Sequence, residues 1–195
     1  MGPLALAIES YSPPSATGGC LGAALHNGYG PTDRRTNMPT FRRCTVVDAS
    51  LDAVWAFHSR IDGLRALTPS WSGLEIVSVT GPDGTENPET LDVGADIEMR
   101  VRPLGRLPGP EWTSRITRRE RDGDRAVFRD VMLDGPFETW EHTHRFLRSD
   151  GQTVVVDSLE YELPRRFRPL TPAVHAGLLA LFAYRHARTR SLLAQ

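Results

Sequence analysis

At 195 residues, with 39% hydrophobic residues and a formal net charge of −1, the chain has room for one domain plus a tail. The near-neutral balance argues against a dedicated nucleic-acid binder, which would carry a basic face. No apolar run approaches the roughly 20 residues of a membrane-spanning helix.

Residues 1–37 are rich in Gly, Pro, Ser and Ala and hold no sustained period. Such a segment buries too little apolar surface to offset its ordering entropy, so a disordered tail is expected. Met38 is an alternative start, because strand-like sequence begins directly after it. The apolar stretch Leu4 to Ile8 is too short for a signal core and has no preceding arginine, so export is not expected. Cys20 and Cys44 are the only cysteines. With Cys20 in the tail, no structural disulfide is expected and a cytoplasmic location is the default.

From residue 38 to 195 the pattern is that of one domain. Phe41 to Val47 reads as a strand. Ser50 supplies an N-cap, and Leu51, Val54, Trp55 and His58 follow at helical spacing. The helix is expected to break at Gly63, resume over Leu64 to Leu67 and stop at Pro69. Strands are then expected over Leu74–Val79, Asp96–Arg102, around Trp112, Ser114 and Ile116, and over Arg125–Leu133, Phe137–Arg148 and Gln152–Leu163, separated by Gly, Pro and Asp turn signals. The run Arg115, Arg118, Arg119, Arg121 is interrupted by acids and reads as a solvated strand end. Thr171 to Leu193 is a long helix with Pro172 in its first turn. Its stripe of Val174, Leu178, Leu181, Phe182 and Leu192 faces the sheet, and Arg185 lies unexpectedly within that stripe.

These elements give an α+β fold: a curved antiparallel sheet of about six to seven strands wrapped around a long C-terminal helix, with two short helices after the first strand. A pocket is left between sheet and helix. The last hairpin fixes side-chain neighbours. Asp150-Gly151 is a favoured two-residue turn that pairs Ser149 with Gln152. Counting back sets His144 opposite Asp157, His142 opposite Leu159 and Trp140 opposite Tyr161. Trp140, His142, His144 and Phe146 then share one face, assigned to the pocket because it carries the aromatics. His144 held by Asp157 suits a general base; equally, the two polar groups can simply satisfy each other in a core. Asp130 is placed on the same face through Phe128, with its register open. His142, His144 and Asp157 have permissive spacing for a metal, but neither metal nor cofactor is expected. Arg185 either anchors a ligand carboxylate or phosphate, pairs with Asp130 or Glu160, or bends out to water. Trp55, Trp112, Phe128, Trp140, Tyr161 and Phe182 read as wall or core; where they line the pocket they suit a flat or hydrophobic ligand, and Trp112, Phe128, Asp130, Trp140, His142, Tyr161, Phe182 and Arg185 are the candidate ligand-binding residues. His58 and Tyr184 are given no role beyond packing.

The element order resembles the START-like, polyketide-cyclase-type superfamily, also called the helix-grip or birch-pollen-allergen-like fold. The segment Ala49 to Phe57 is similar to that group's first helix. Gly135-Pro136-Phe137 with Trp140, His142, His144 and Phe146 resembles bacterial ligand-binding members. Asp157, Tyr161 and Pro164 resemble its next strand, and Phe182, Tyr184 and Arg185 its closing helix. The resemblance implies binding of a small hydrophobic or aromatic, lipid-like or polyketide-like molecule by a monomer or homodimer. The alternative is a cofactor-independent cyclase, dehydratase or isomerase using His144 and Asp157.

Overall fold

The computed structural model describes residues 39–102 and 108–194; the expectations for the N-terminal segment, including Met38 and Cys20, lie outside them. Seven antiparallel strands form one sheet: β1 (Thr40–Val47), β2 (Leu74–Thr80), β3 (Asp96–Val101), β4 (Glu111–Asp122), β5 (Arg125–Leu133), β6 (Thr139–Ser149) and β7 (Gln152–Glu162), in the order β1-β7-β6-β5-β4-β3-β2. Helices α1 (Leu51–His58) and α2 (Ile61–Leu67) follow β1, and α3 (Thr171–Leu193) closes the chain. This is the helix-grip arrangement. Among the described residues, no helix is long and apolar enough to cross a membrane.

Local chemistry accounts for the elements. The Ser50 hydroxyl accepts from Ala53 N at 3.3 Å, and Asp52 sits in the first turn of α1, so the exposed N–H groups and the helix dipole are both compensated. Leu51, Val54 and Trp55 are thereby buried. Asp150 and Gly151 adopt positive φ angles of 48° and 81°, as a tight hairpin requires. All three expected pairings hold: His144 faces Asp157, His142 faces Leu159 and Trp140 faces Tyr161. The arginine run is spread over surface ion pairs with Asp96, Glu120, Asp92 and Asp52.

Gly63 does not break its helix; it lies in the first turn of α2, and the interruption falls at Ser59 and Arg60. A Cβ on Gly63 would come within 2.0 Å of the Phe57 carbonyl oxygen at the end of α1, so glycine lets the two helices abut. Gly63→Ala is expected to cost about 1–3 kcal/mol, read as a lower urea midpoint. An unchanged midpoint would show that the contact relaxes freely.

The core has two parts. One packs Leu51, Val54, Trp55, Ile97, Ile116, Phe128, Phe146 and Val155 between α1 and the sheet. The other packs Phe41, Leu159, Tyr161, Leu178 and Phe182 beneath α3. The buried stripe of α3 is Leu178, Phe182, His186 and Thr189. Leu192, expected inside, is exposed.

Candidate functional site

Between the sheet, α2 and α3 lies a cavity of about 310 Å³, at the small end of the range for ligand pockets. Its wall is largely apolar, with Leu67, Met99, Trp112, Phe128, Trp140 and Leu181 among its members, so these aromatics line the space without closing it. Its polar members are Thr68 and Ser72 near α2, and His58, Ser114, Asp130, His142, His144 and Arg185.

Strand register builds the polar cluster. β5 sets Phe128 beside His144 and Asp130 beside His142. Across β7, Asp157 lies opposite His144 and diagonal to His142. Its Oδ1 is 2.5 Å from His144 Nδ1 and 3.4 Å from His142 Nε2. These are close charge contacts, but their angles fall outside those of a hydrogen bond. Asp157 Oδ2 accepts a directed hydrogen bond from His186 Nε2 at 2.6 Å. On the cavity side, Asp130 Oδ1 is 3.3 Å from His142 Nδ1, and Ser114 Oγ donates to Asp130 Oδ2 at 3.0 Å.

This layout drives adjacent histidines in opposite directions. Burial pushes the His142 pKa down, but carboxylates at both its nitrogens outweigh burial and hold it up to about 9. For His144, burial prevails over attraction to Asp157, the neighbouring His142 adds to the effect, and the pKa is lowered. His58 is pushed well below the ordinary value by burial and then by His144. Burial disfavours charge on Asp157, yet the imidazoles of His144, His186 and His142 overcome it and hold the carboxyl well below its usual range. Near neutral pH the cluster is therefore a neutral His144 beside a cationic His142, with ionised Asp130 and Asp157.

Arg185 lines the cavity from α3. Among the described residues no carboxylate lies within ion-pair distance of it, so the expected pairing with Asp130 or Glu160 does not form. Its guanidinium sits 5.7 Å from the centre of the Phe182 ring.

Tyr161 and Phe182, expected in the pocket wall, are instead fully buried in the core beneath α3 and do not line the cavity. Tyr161 carries its hydroxyl to His175 Nδ1 at 2.9 Å. Asp157 does not line the cavity either; it reaches it through His144. His58 does line it, with its ring 5.4 Å from that of His144. His58, expected only to pack, is thus part of the site; His186 is not among the sequence candidates, and the signal available for it is its place next to Arg185.

Asp130, His142 and His144 can each offer a donor atom within 4.8 Å of the others, so Asp130 replaces Asp157 in the only metal-type grouping among the described residues. His142, held between two carboxylates, is protonated near neutral pH, and an ion would have to displace that proton.

A family profile described as polyketide cyclase / dehydrase and lipid transport matches residues 47–179. The chain belongs to that family. Several solved structures share its fold. A norcoclaurine synthase from Thalictrum flavum is 20% identical, with 80% of this chain and 94% of that one covered and a TM-score of 0.55. An aromatase/cyclase from Streptomyces sp. R1128 is 18% identical, with 80% and 93% covered and a TM-score of 0.56. A nucleoside-diphosphate sugar epimerase from Corynebacterium glutamicum is 24% identical with a TM-score of 0.55; the match covers 77% of this chain but only 28% of that larger one. No curated protein matches the sequence.

Proposed function

We propose that this member of the polyketide cyclase / dehydrase and lipid transport family binds a small, mainly apolar carbonyl compound of aromatic or polyketide-like type and moves a proton on it, with His144 as general base. The observation that carries this reading is the 2.5 Å approach of Asp157 to His144 Nδ1 at the polar end of a largely apolar cavity. Holding the proton on Nδ1 leaves Nε2 with its lone pair for a C–H or O–H proton of the ligand. His142 as a cation and Arg185 are placed to steady oxygen as charge builds on it. Apolar burial at about 25 cal/mol per Å² supplies most of the affinity, and the polar end sets orientation.

The test is turnover of nitrobenzisoxazole by the full-length chain. In that reaction a base removes the ring C–H proton, the N–O bond breaks, and a cyanophenolate leaves, with no co-reactant. Turnover well above that of free imidazole at equal concentration is expected. A protein that binds the dye anilinonaphthalene sulfonate in the cavity but gives no such turnover is a carrier. That second reading draws on the apolar wall and on the family's inclusion of lipid transport proteins.

Arg185 gives a separate expectation. Losing a charge-assisted contact of about 1.5–3 kcal/mol in Arg185→Leu weakens the sulfonate dye by about tenfold or more, whereas a neutral dye such as Nile red loses little. Equal losses for both dyes would assign Arg185 to the wall alone.

A further inference from the structure

Behind the cavity wall, Asp157 is shared among three imidazoles, and only one of them meets it with hydrogen-bond geometry. That one is His186 of α3, at 2.6 Å from Oδ2. His144 and His142 approach Oδ1 closely without such geometry, and Oδ1 is otherwise buried and unbonded. We propose that His186 is a positioning residue for the base: its Nε2–H anchors Asp157 Oδ2, which turns Oδ1 toward His144 Nδ1 and fixes the His144 nitrogen presented to the cavity. The functional part of this inference rests on the reading of His144 as a base.

The proton on His186 follows from its surroundings. Its side chain is 2% exposed, and Nδ1 is buried with no hydrogen-bond partner. A proton on Nδ1 alone would leave a buried donor unsatisfied and set a lone pair against a carboxylate oxygen at 2.6 Å. Nε2 therefore carries a proton. An unbonded buried nitrogen is also a cost that an apolar side chain of similar size would avoid, so packing by itself does not account for histidine here. Burial of the whole cluster keeps the arrangement from being dissipated by water.

The position has a mechanical consequence. Arg185 and His186 are consecutive on α3; the first lines the cavity, and the second holds the carboxylate behind it. A ligand that draws on Arg185 therefore acts on the same helical turn that sets the base. His186–Asp157–His144 forms a chain from α3 through β7 to β6, and the helix is part of the catalytic apparatus rather than only its cover.

Imidazole nitrogen NMR of the full chain, combined with nitrobenzisoxazole kinetics, tests this. In the unmodified protein His186 should be protonated on Nε2; finding the tautomer protonated on Nδ1 alone overturns the proposal without any variant. In His186→Leu the His144 nitrogen signals should shift, and kcat should fall about tenfold, one decade of the 10²–10⁴ that a positioned base supplies, with KM unchanged. His186→Gln, whose amide can place a donor near the lost Nε2, should recover most of that rate. A folded His186→Leu with unaltered His144 signals and unaltered kcat overturns the proposal and leaves His144 as base untouched. Failure of the base reading shows differently, as full turnover in His144→Gln.

Discussion

His144→Gln is expected to lower nitrobenzisoxazole turnover by about 10²–10³-fold, while affinity for anilinonaphthalene sulfonate stays within about twofold because the apolar wall is untouched. Glutamine keeps most of the volume and a polar end, so the cavity remains, but it cannot take a proton. No neighbour replaces it readily. His142 holds its proton up to about 9, and Asp157, with its carboxyl far below the usual range, is too weak a base and lies behind the wall. His58 is neutral, but its pKa is depressed well below the ordinary value, which makes it a weaker acceptor. The pH profile carries a second check. His144 acts when deprotonated, and its pKa is lowered from 6.5, so the rate should be flat near neutrality and fall on the acid side. On the alkaline side, loss of the His142 cation near 9 should bring a second decline if that charge steadies the leaving oxygen. Turnover that survives His144→Gln, or an acid limb absent from the profile, would remove His144 from the mechanism.

The centre of this cluster was legible in the sequence because a two-residue turn admits one register. Asp150-Gly151 fixes Ser149 against Gln152, and each pair back to His144 and Asp157 follows by counting. The longer connection between β5 and β6 offers no such count, so the alignment of Asp130 with His142 is set by strand pairing alone. Helical residues were harder, because a stripe on a helix reports a face but not its rotation against the sheet. The long helix turns so that His186 and Thr189 are buried and Leu192 is exposed. Its last turns meet β1 through polar groups, with Arg190 donating to the Thr45 hydroxyl at 2.8 Å. Tyr161 and Phe182 fall in the core rather than on the cavity for a related reason: aromatic character marks burial, and only packing decides between cavity wall and core. Propensity alone makes Gly63 a helix breaker, whereas a close backbone approach to Phe57 explains it.

Asp157→Asn should cost about 3–5 kcal/mol near neutral pH and reshape the dependence of stability on pH. The carboxylate is the common partner of His142, His144 and His186, and its removal leaves the buried His142 cation with Asp130 as its remaining contact. In the native protein two limbs are expected. His142 has a folded pKa above its unfolded value, so its contribution is fully present below about 6.5 and is lost as pH rises through about 9. That shift corresponds to about 3 kcal/mol. His144 and His58 have folded pKa values below the unfolded one, so their contribution is present above about 6.5 and is lost as pH falls. Asp157 and Asp130, also lowered, extend that loss through the carboxylate range. The groups facing the cluster come from the elements packed around it: Arg43 from β1, opposite Asp157 of β7, His58 from α1, Asp130 from β5, His142 and His144 from β6, and Arg185 and His186 from α3. Stability should therefore peak near pH 6.5, where unfolded histidine titrates. In Asp157→Asn the alkaline limb should flatten, since His142 loses one of the two carboxylates that hold its proton. Urea melts across pH 4 to 10 measure both effects. A variant as stable as the parent, with the same alkaline limb, would mean that Asp130 alone holds His142 and that Asp157 is not the keystone of the cluster.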